Sequence, residues 1–243
     1  MNTAAYHQKA SEQETDTSQR FNMYQSVHKG LRAFMADTLT AVGRTDYTDA
    51  TERQETAVQL CSLLHVCAEH LAHENRFVHS AMESRCPGSA ARCAGEHIEH
   101  LSHIASLHAC LDQAMQATAD QQAGAWQQIY QALSLFVADN YEHMLLEERE
   151  HNAVLWQHFS DEELIEVHDA LLASVPPDEM AIHFRWMLPQ LSHLERVGML
   201  GGMRQGMPPE VFASQLSLVE ALLDERSWRK LSVALQSGSA QHG

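Results

Sequence analysis

The sequence predicts an all-α fold: an up-down-up-down four-helix bundle with a C-terminal helical-hairpin extension. Three observations carry that prediction. Ala, Leu, Gln, Glu and Met abound while β-branched residues are few, a composition that favours helix. Four successive stretches, each about 25 to 35 residues long, repeat apolar side chains at helical spacing. Short polar links join these stretches, and short links favour antiparallel neighbours. With 44% hydrophobic residues in 243, the chain has enough apolar surface for a buried core.

The first helix is expected from about Ser18 to Val42. Phe21, Tyr24, His28, Leu31, Met35, Leu39 and Val42 form its stripe, and Gly43 is placed to end it. The second runs from Ala50 to Glu83, with Leu63, Val66, Cys67, Phe77 and Ala81 on its apolar face. Pro87 and Gly88 stop it, and Ser89 is positioned to cap the third helix. That helix spans Ala90 to Ala117. Its expected stripe is Ala94, Ile98, Leu101, Ile104, Leu111 and Met115, with His97 and His108 near the centre and His100 at the edge. Asp120 is a candidate cap for the fourth helix, Ala123 to His158.

The domain boundaries follow. Residues 1–18 read as a polar tail, 19–159 as the bundle, 160–236 as the extension and 237–243 as a second tail. The extension carries a weak repeat of about 32 residues. Ser160-x-x-Glu163 recurs as Ser192-x-x-Glu195, a capping-box pattern, and Pro176-Pro177 recurs as Pro208-Pro209. A third start falls near Asp224. Such hairpins offer a surface for packing on the bundle or for a homodimer.

Composition excludes several classes. A formal charge of −16 argues against nucleic acid and anionic membranes as partners. No apolar run approaches the roughly 20 residues of a membrane-spanning helix. The N-terminus has no apolar core of the kind a signal peptide needs, so a cytoplasmic location is expected. Five cysteines, an odd number, suggest reduced thiols. Cys86 and Cys93 flank the loop CPGSAARC, a spacing wider than zinc sites use.

The chemistry lies in histidine–glutamate pairs four residues apart, which share one helix face. There are five: His65/Glu69, His70/Glu74, His79/Glu83, His143/Glu147 and His158/Glu162, more than random placement of 17 histidines among these glutamates would give. Only His70/Glu74 and His143/Glu147 fall inside an apolar stripe. His65/Glu69 and His79/Glu83 point away from it and read as solvated, and His158/Glu162 straddles a helix end near Ser160. Imidazole and carboxylate together in a core are costly unless compensated, and a bound cation is the simplest compensation. In an antiparallel bundle, His28 on the first helix and His97 on the third fall near the same level as the two pairs. Glu69, Glu96, Asp139 and Tyr24 are candidate acceptors for the outer N–H groups of ligating histidines.

The order H … HxxxE … H … HxxxE has a counterpart. The segments MYQSVHKGLR, EHLAHENRFVH, GEHIEHL and YEHMLLEE resemble the four motif helices of hemerythrin-like (HHE cation-binding) domains, over residues 20 to 158. The resemblance implies His28, His70, Glu74, His97, His143 and Glu147 as ligands of two iron ions. Glu74 and Glu147, with an oxo or hydroxo group, would be the bridges. The donor mixture suits iron or manganese, with zinc possible, and the resemblance favours iron over both. Oxygen carriers of this family place two histidines four apart on the third helix, whereas here the partner position of His97 is Leu101. Four His and two Glu leave more open positions, which implies a small diatomic or peroxidic ligand such as dioxygen, nitric oxide or peroxide. Sensing, stress response and iron-centre repair all fit, and binding is not separable from turnover at this level. An iron-storage or iron-donating protein and a metal-free helical interaction protein are the alternatives.

Overall fold

The computed structural model describes residues 20–239, and every regular element among them is helical. The expected tail 1–18 lies outside the described residues. Helix α1 is Gln25–Arg44. It starts where Asn22 Oδ1 accepts from the backbone N–H groups of Tyr24 and Gln25, an Asx-type cap. It runs through Gly43 to Arg44, so Gly43 is not its stop. A Cβ at Gly43 would lie 2.9 Å from the Tyr130 ring, so the glycine serves close helix approach instead.

Helix α2 (Ala50–His73) begins at Asp49, whose side chain accepts from Thr51 and Glu52 N–H. It passes into a π-helical stretch, Glu74–His79, and ends as α3 (Ser80–Arg85). Gly88 takes φ +86° in the following loop, where an L side chain would be strained. The turn is closed by Glu83, which accepts from Gly88 and Ala90 N–H at 2.7 and 2.9 Å. The expected cap, Ser89, has a buried hydroxyl with no hydrogen-bond partner.

Helix α4 is Ala91–Gln116, and α5 is Gln122–Leu146. Asp120 does not cap α5; its carboxylate accepts from the Thr118 hydroxyl, and Gln122 reaches back to the Ala114 and Ala117 carbonyls. A second π-helical stretch, Glu147–His151, leads into α6 (Asn152–His158). The two π stretches start at the glutamates of the two inward-facing HxxxE pairs. Such interruptions often mark functional positions.

Helix α1 packs against α2 and α5, and α4 packs against the same two. The enclosed core includes Leu31, Leu60, Leu63, Leu64, Ile129, Leu133 and Phe136. A second cluster, with Tyr24, Val78, Met82, Leu155 and Phe159, closes one end. On α1, α2 with its π continuation, and α4, the candidate ligands lie in sequence between residues of the two clusters. On α5 and its continuation they begin beside Met144, at the edge of the first. A polar layer is thus held between two apolar ones.

The remaining chain forms α7 (Asp161–Ser174), α8 (Pro177–Met187), a 3₁₀ turn (Leu188–Gln190), α9 (His193–Gly206), α10 (Pro209–Leu222) and α11 (Glu225–Ser239). Both capping boxes are formed, at Ser160/Glu163 and Ser192/Glu195, and Pro177 and Pro209 each start a helix. The copies pack differently. Helix α8 lies on α1 and α2, with Trp186 stacked on Phe34 at 4.2 Å. Leu188, Leu200, Phe212, Val219 and Leu231 build a separate cluster, joined by Met199, Met203 and Met207 as expected of a Met-rich core. No described helix is long and apolar enough to cross a membrane.

Candidate metal centre

Six side chains converge in the polar layer. His28 comes from α1, His70 and Glu74 from α2 and its π continuation, His97 from α4, and His143 and Glu147 from α5 and its continuation. His28 and Glu147 are fully buried, and the other four are nearly so. They form two groups. His28, His70, Glu74 and Glu147 can direct ligand atoms to within 4.8 Å of one another, and so can Glu74, His97, His143 and Glu147.

The two carboxylates divide their oxygens between the groups. Glu74 Oε1 is 3.2 Å from His70 Nε2 and 3.6 Å from His28 Nε2, while its Oε2 is 3.6 Å from His97 Nε2. Glu147 Oε2 is 3.6 Å from His28 Nε2, and its Oε1 is 3.3 Å from His143 Nε2 and 3.6 Å from His97 Nε2. Most of these separations are too long for good hydrogen bonds. They suit atoms that share a cation: donors about 2.1 Å from a metal and about 90–120° apart lie about 3.0–3.6 Å from each other.

The unsatisfied atoms point the same way. His28 Nε2, His70 Nε2 and both oxygens of Glu74 and of Glu147 are buried without a hydrogen-bond partner. Leaving one such group unpaired costs about 1–3 kcal/mol, and more when it is charged. Among the described residues, the ion-pair partners of these two glutamates are all histidines. Two such groups of imidazoles and carboxylates are a donor set that fits divalent first-row cations.

Electrostatics agree. Burial pushes the Glu74 and Glu147 carboxyls up, but the surrounding imidazoles outweigh burial and hold both below the usual range. Burial lowers His143, and the Glu147 and Glu96 carboxylates more than offset it, raising its pKa to about 9. His28 is raised in the same sense, with burial opposed by Glu148 and Glu74. Protons and cations thus compete for the same nitrogens.

The outer ring atoms are also held. His143 Nδ1–H donates to Glu96 Oε2 at 2.8 Å, and His28 Nδ1–H donates to Glu148 Oε1 at 3.1 Å. Glu148 in turn accepts from Arg32 at 2.6 Å. His97 Nδ1 pairs with Asn75 Oδ1 at 2.9 Å. Of the expected acceptors, Glu96 does this work. Glu148, not among the expected acceptors, does so as well. Asp139 faces His103 at the surface, and Glu69 lies with His73 and Glu179.

Several side chains depart from expectation. His79, expected to be solvated, is buried with neither ring nitrogen partnered, stacked 4.9 Å from His97. The π stretch explains it: i→i+5 bonding widens the turn and rotates His79 back towards the interior. Burial, then the His97 charge, lowers its pKa to about 4. His151 was not foreseen. It sits one turn beyond Glu147, buried, with Nδ1 3.0 Å from the Tyr24 hydroxyl, and its Glu-x-x-x-His spacing mirrors the pairs sought. His79, Glu147 and His151 form a third group of possible ligands. On α4 the buried face is Cys93, His97, His100, Ile104, Leu107, Leu111 and Ala114, while Ile98 is 71% exposed and His108 is exposed. The real stripe is rotated from the expected one because it follows packing against α2 and α5, and it brings His100 in beside His143 at 4.8 Å. Cys93 lies within reach of Glu96 and His143, and burial together with the Glu147 charge keeps its thiol protonated. None of the five cysteines is in a disulfide.

Set beside models of protein families, curated proteins and solved structures, this chain matches none of them.

Proposed function

We propose that this chain is a hemerythrin-like non-haem di-iron protein that binds or reacts with a small diatomic or peroxidic molecule. One observation carries the reading: Glu74 and Glu147 each turn one oxygen towards His28 and the other towards His97, as two bridging carboxylates would. The short links and the packing of α1 and α4 on both α2 and α5 support an up-down-up-down bundle around that layer.

In this reading His28 and His70 would hold one ion, His97 and His143 would hold the other, and the two glutamates would serve both. When bound, two irons supply redox-active centres able to take a diatomic or peroxidic ligand. The protein supplies the rest. The apolar clusters on either side exclude water, which strengthens every electrostatic interaction inside. Glu96, Glu148 and Asn75 fix the imidazole tautomers. His79 and His151 lie beside Glu147 as additional donors, with Tyr24 hydrogen-bonded to His151. A metal-free helical interaction protein would leave this whole set of buried polar atoms uncompensated.

The test is metal analysis of purified protein, with absorption spectra recorded after adding azide or nitric oxide. We expect about two irons per chain. Glu74→Ala and Glu147→Ala should each drop the content below one. Full retention in both variants, or no metal in the wild type, refutes the reading.

A further inference from the structure

Outside the polar layer, one buried carboxylate has no visible counter-charge. Glu179, in the first turn of α8, is only 6% exposed, and its Oε1 has no hydrogen-bond partner. Among the described residues, no lysine or arginine forms an ion pair with it. Its neighbours are imidazoles: His183 Nε2 is 3.5 Å and His73 Nδ1 is 3.8 Å from that same oxygen. Glu69, one turn before His73 on α2, completes the group, and ligand atoms of Glu69, His73 and Glu179 can lie within 4.8 Å of one another.

The arrangement is two Glu-x-x-x-His pairs on facing helices. Glu69 and His73 share one face of α2, and Glu179 and His183 share one face of α8. Both imidazoles approach a single carboxylate oxygen at distances beyond a hydrogen bond but close to those of donors around a tetrahedral ion, about 3.4 Å for bonds of about 2.1 Å. The internal repeat adds an independent point. Thirty-two residues on, the positions of Glu179 and His183 are held by Val211 and Gln215, and Val211 is 42% exposed. The pair is therefore no requirement of the repeat's fold. It occurs in the copy that packs on α2.

We propose that Glu69, His73 and Glu179 form a further, mononuclear site for a divalent first-row transition cation, pinning α8 to α2, with His183 beside Glu179. Two carboxylates neutralise the ion and one imidazole joins them, a three-ligand set of the zinc type that leaves a fourth position open. The site shares no ligand with the polar layer, so it stands or falls separately from the di-iron reading.

The experiment uses the full chain, stripped with chelator and loaded with zinc, followed by metal counting. Glu179→Gln combined with His183→Ala should lower the zinc content by one ion per chain. In a Glu74→Ala/Glu147→Ala background one ion should remain, and adding the α8 substitutions should remove it. Unchanged zinc content in the Glu179→Gln/His183→Ala chain overturns the proposal. Should the multiple variants not fold, anomalous diffraction at the zinc edge from loaded wild-type crystals decides: a peak between His73 and Glu179 supports the site, and no peak there overturns it.

Discussion

His97 Nε2 and His143 Nε2 face each other at 3.0 Å, while the other nitrogen of each ring is held from outside, by Asn75 and Glu96 respectively. A carboxylate can only accept, so the Glu96 contact places a proton on His143 Nδ1. In the neutral ring His143 Nε2 is then a lone pair. The Asn75 carbonyl does the same for His97. With its pKa raised to about 9, His143 also carries a proton on Nε2 that can donate to His97, and a cation would displace that proton. The outer contacts thus leave Nε2 of each ring as the nitrogen that faces a cation.

Glu96→Gln tests that preparation. An amide can present its NH₂ to His143 Nδ1 and favour the wrong tautomer. We expect the number of ions bound to stay the same while affinity falls about 10- to 100-fold, measured by chelator competition. Glu96→Asp should recover part of the loss. Equal affinity in wild type and Glu96→Gln would mean that the contact does not orient the ligand.

His79→Ala and His151→Ala separate ligands from chamber walls. If the six-ligand assignment is right, both variants keep their metal and change only how an exogenous anion binds. We expect azide affinity to shift about fivefold or more, a difference of roughly 1 kcal/mol. Loss of one ion in either variant would instead make that histidine a ligand.

Gly30 lies where α1 meets the end of α8, and a Cβ there would come within 2.9 Å of the Met187 backbone. Backbone cannot swing aside as a side-chain tip can. Gly30→Ala should therefore destabilise the docking of α8 by about 1–3 kcal/mol despite the better helix propensity of alanine. Limited proteolysis between α7 and α9 and a lowered melting temperature would register it.

Acid should loosen the same region. Glu195 accepts from Lys29 at 2.6 Å and closes the α9 capping box. Partial burial pushes its carboxyl up, but Lys29 and Ser192 outweigh burial and hold its pKa at about 2. A depressed carboxylate contributes stability above its unfolded value, about 4.3, and that contribution is lost as pH falls through about 2. The pair is partly exposed and solvent screens it, so the effect is about 0.5–1 kcal/mol. Glu195→Gln should flatten the acid limb of the stability curve between pH 4.5 and 2. An unaltered limb would show that the ion pair is not coupled to folding.

Much of this protein is legible from local chemistry. The helical stretches follow from periodicity and composition, and both Ser-x-x-Glu capping boxes form because each is satisfied within four residues of chain. His70/Glu74 and His143/Glu147 were found because a polar pair inside an apolar stripe is costly without a purpose. His28 and His97 were reachable by matching levels across antiparallel helices. Those inferences need only one helix at a time, or a simple alternation of directions.

What local chemistry could not supply is rotation and partnership. The face of α4 is set by where α2 and α5 press on it, so Ile98 turns to water and His100 turns inward against any single-helix pattern. The π stretches shift phase in mid-helix, which no uniform 100° step anticipates, and so bring His79 inside. Glu179 met His73 only because α8 folds back across more than a hundred residues. The sequence alone determined the helical stretches, the two capping boxes and the six inward candidates, because these depend on neighbours within a few turns. Only the tertiary structure decided which oxygen faces which nitrogen and which other histidines join them, because those contacts depend on how rigid helices rotate against one another.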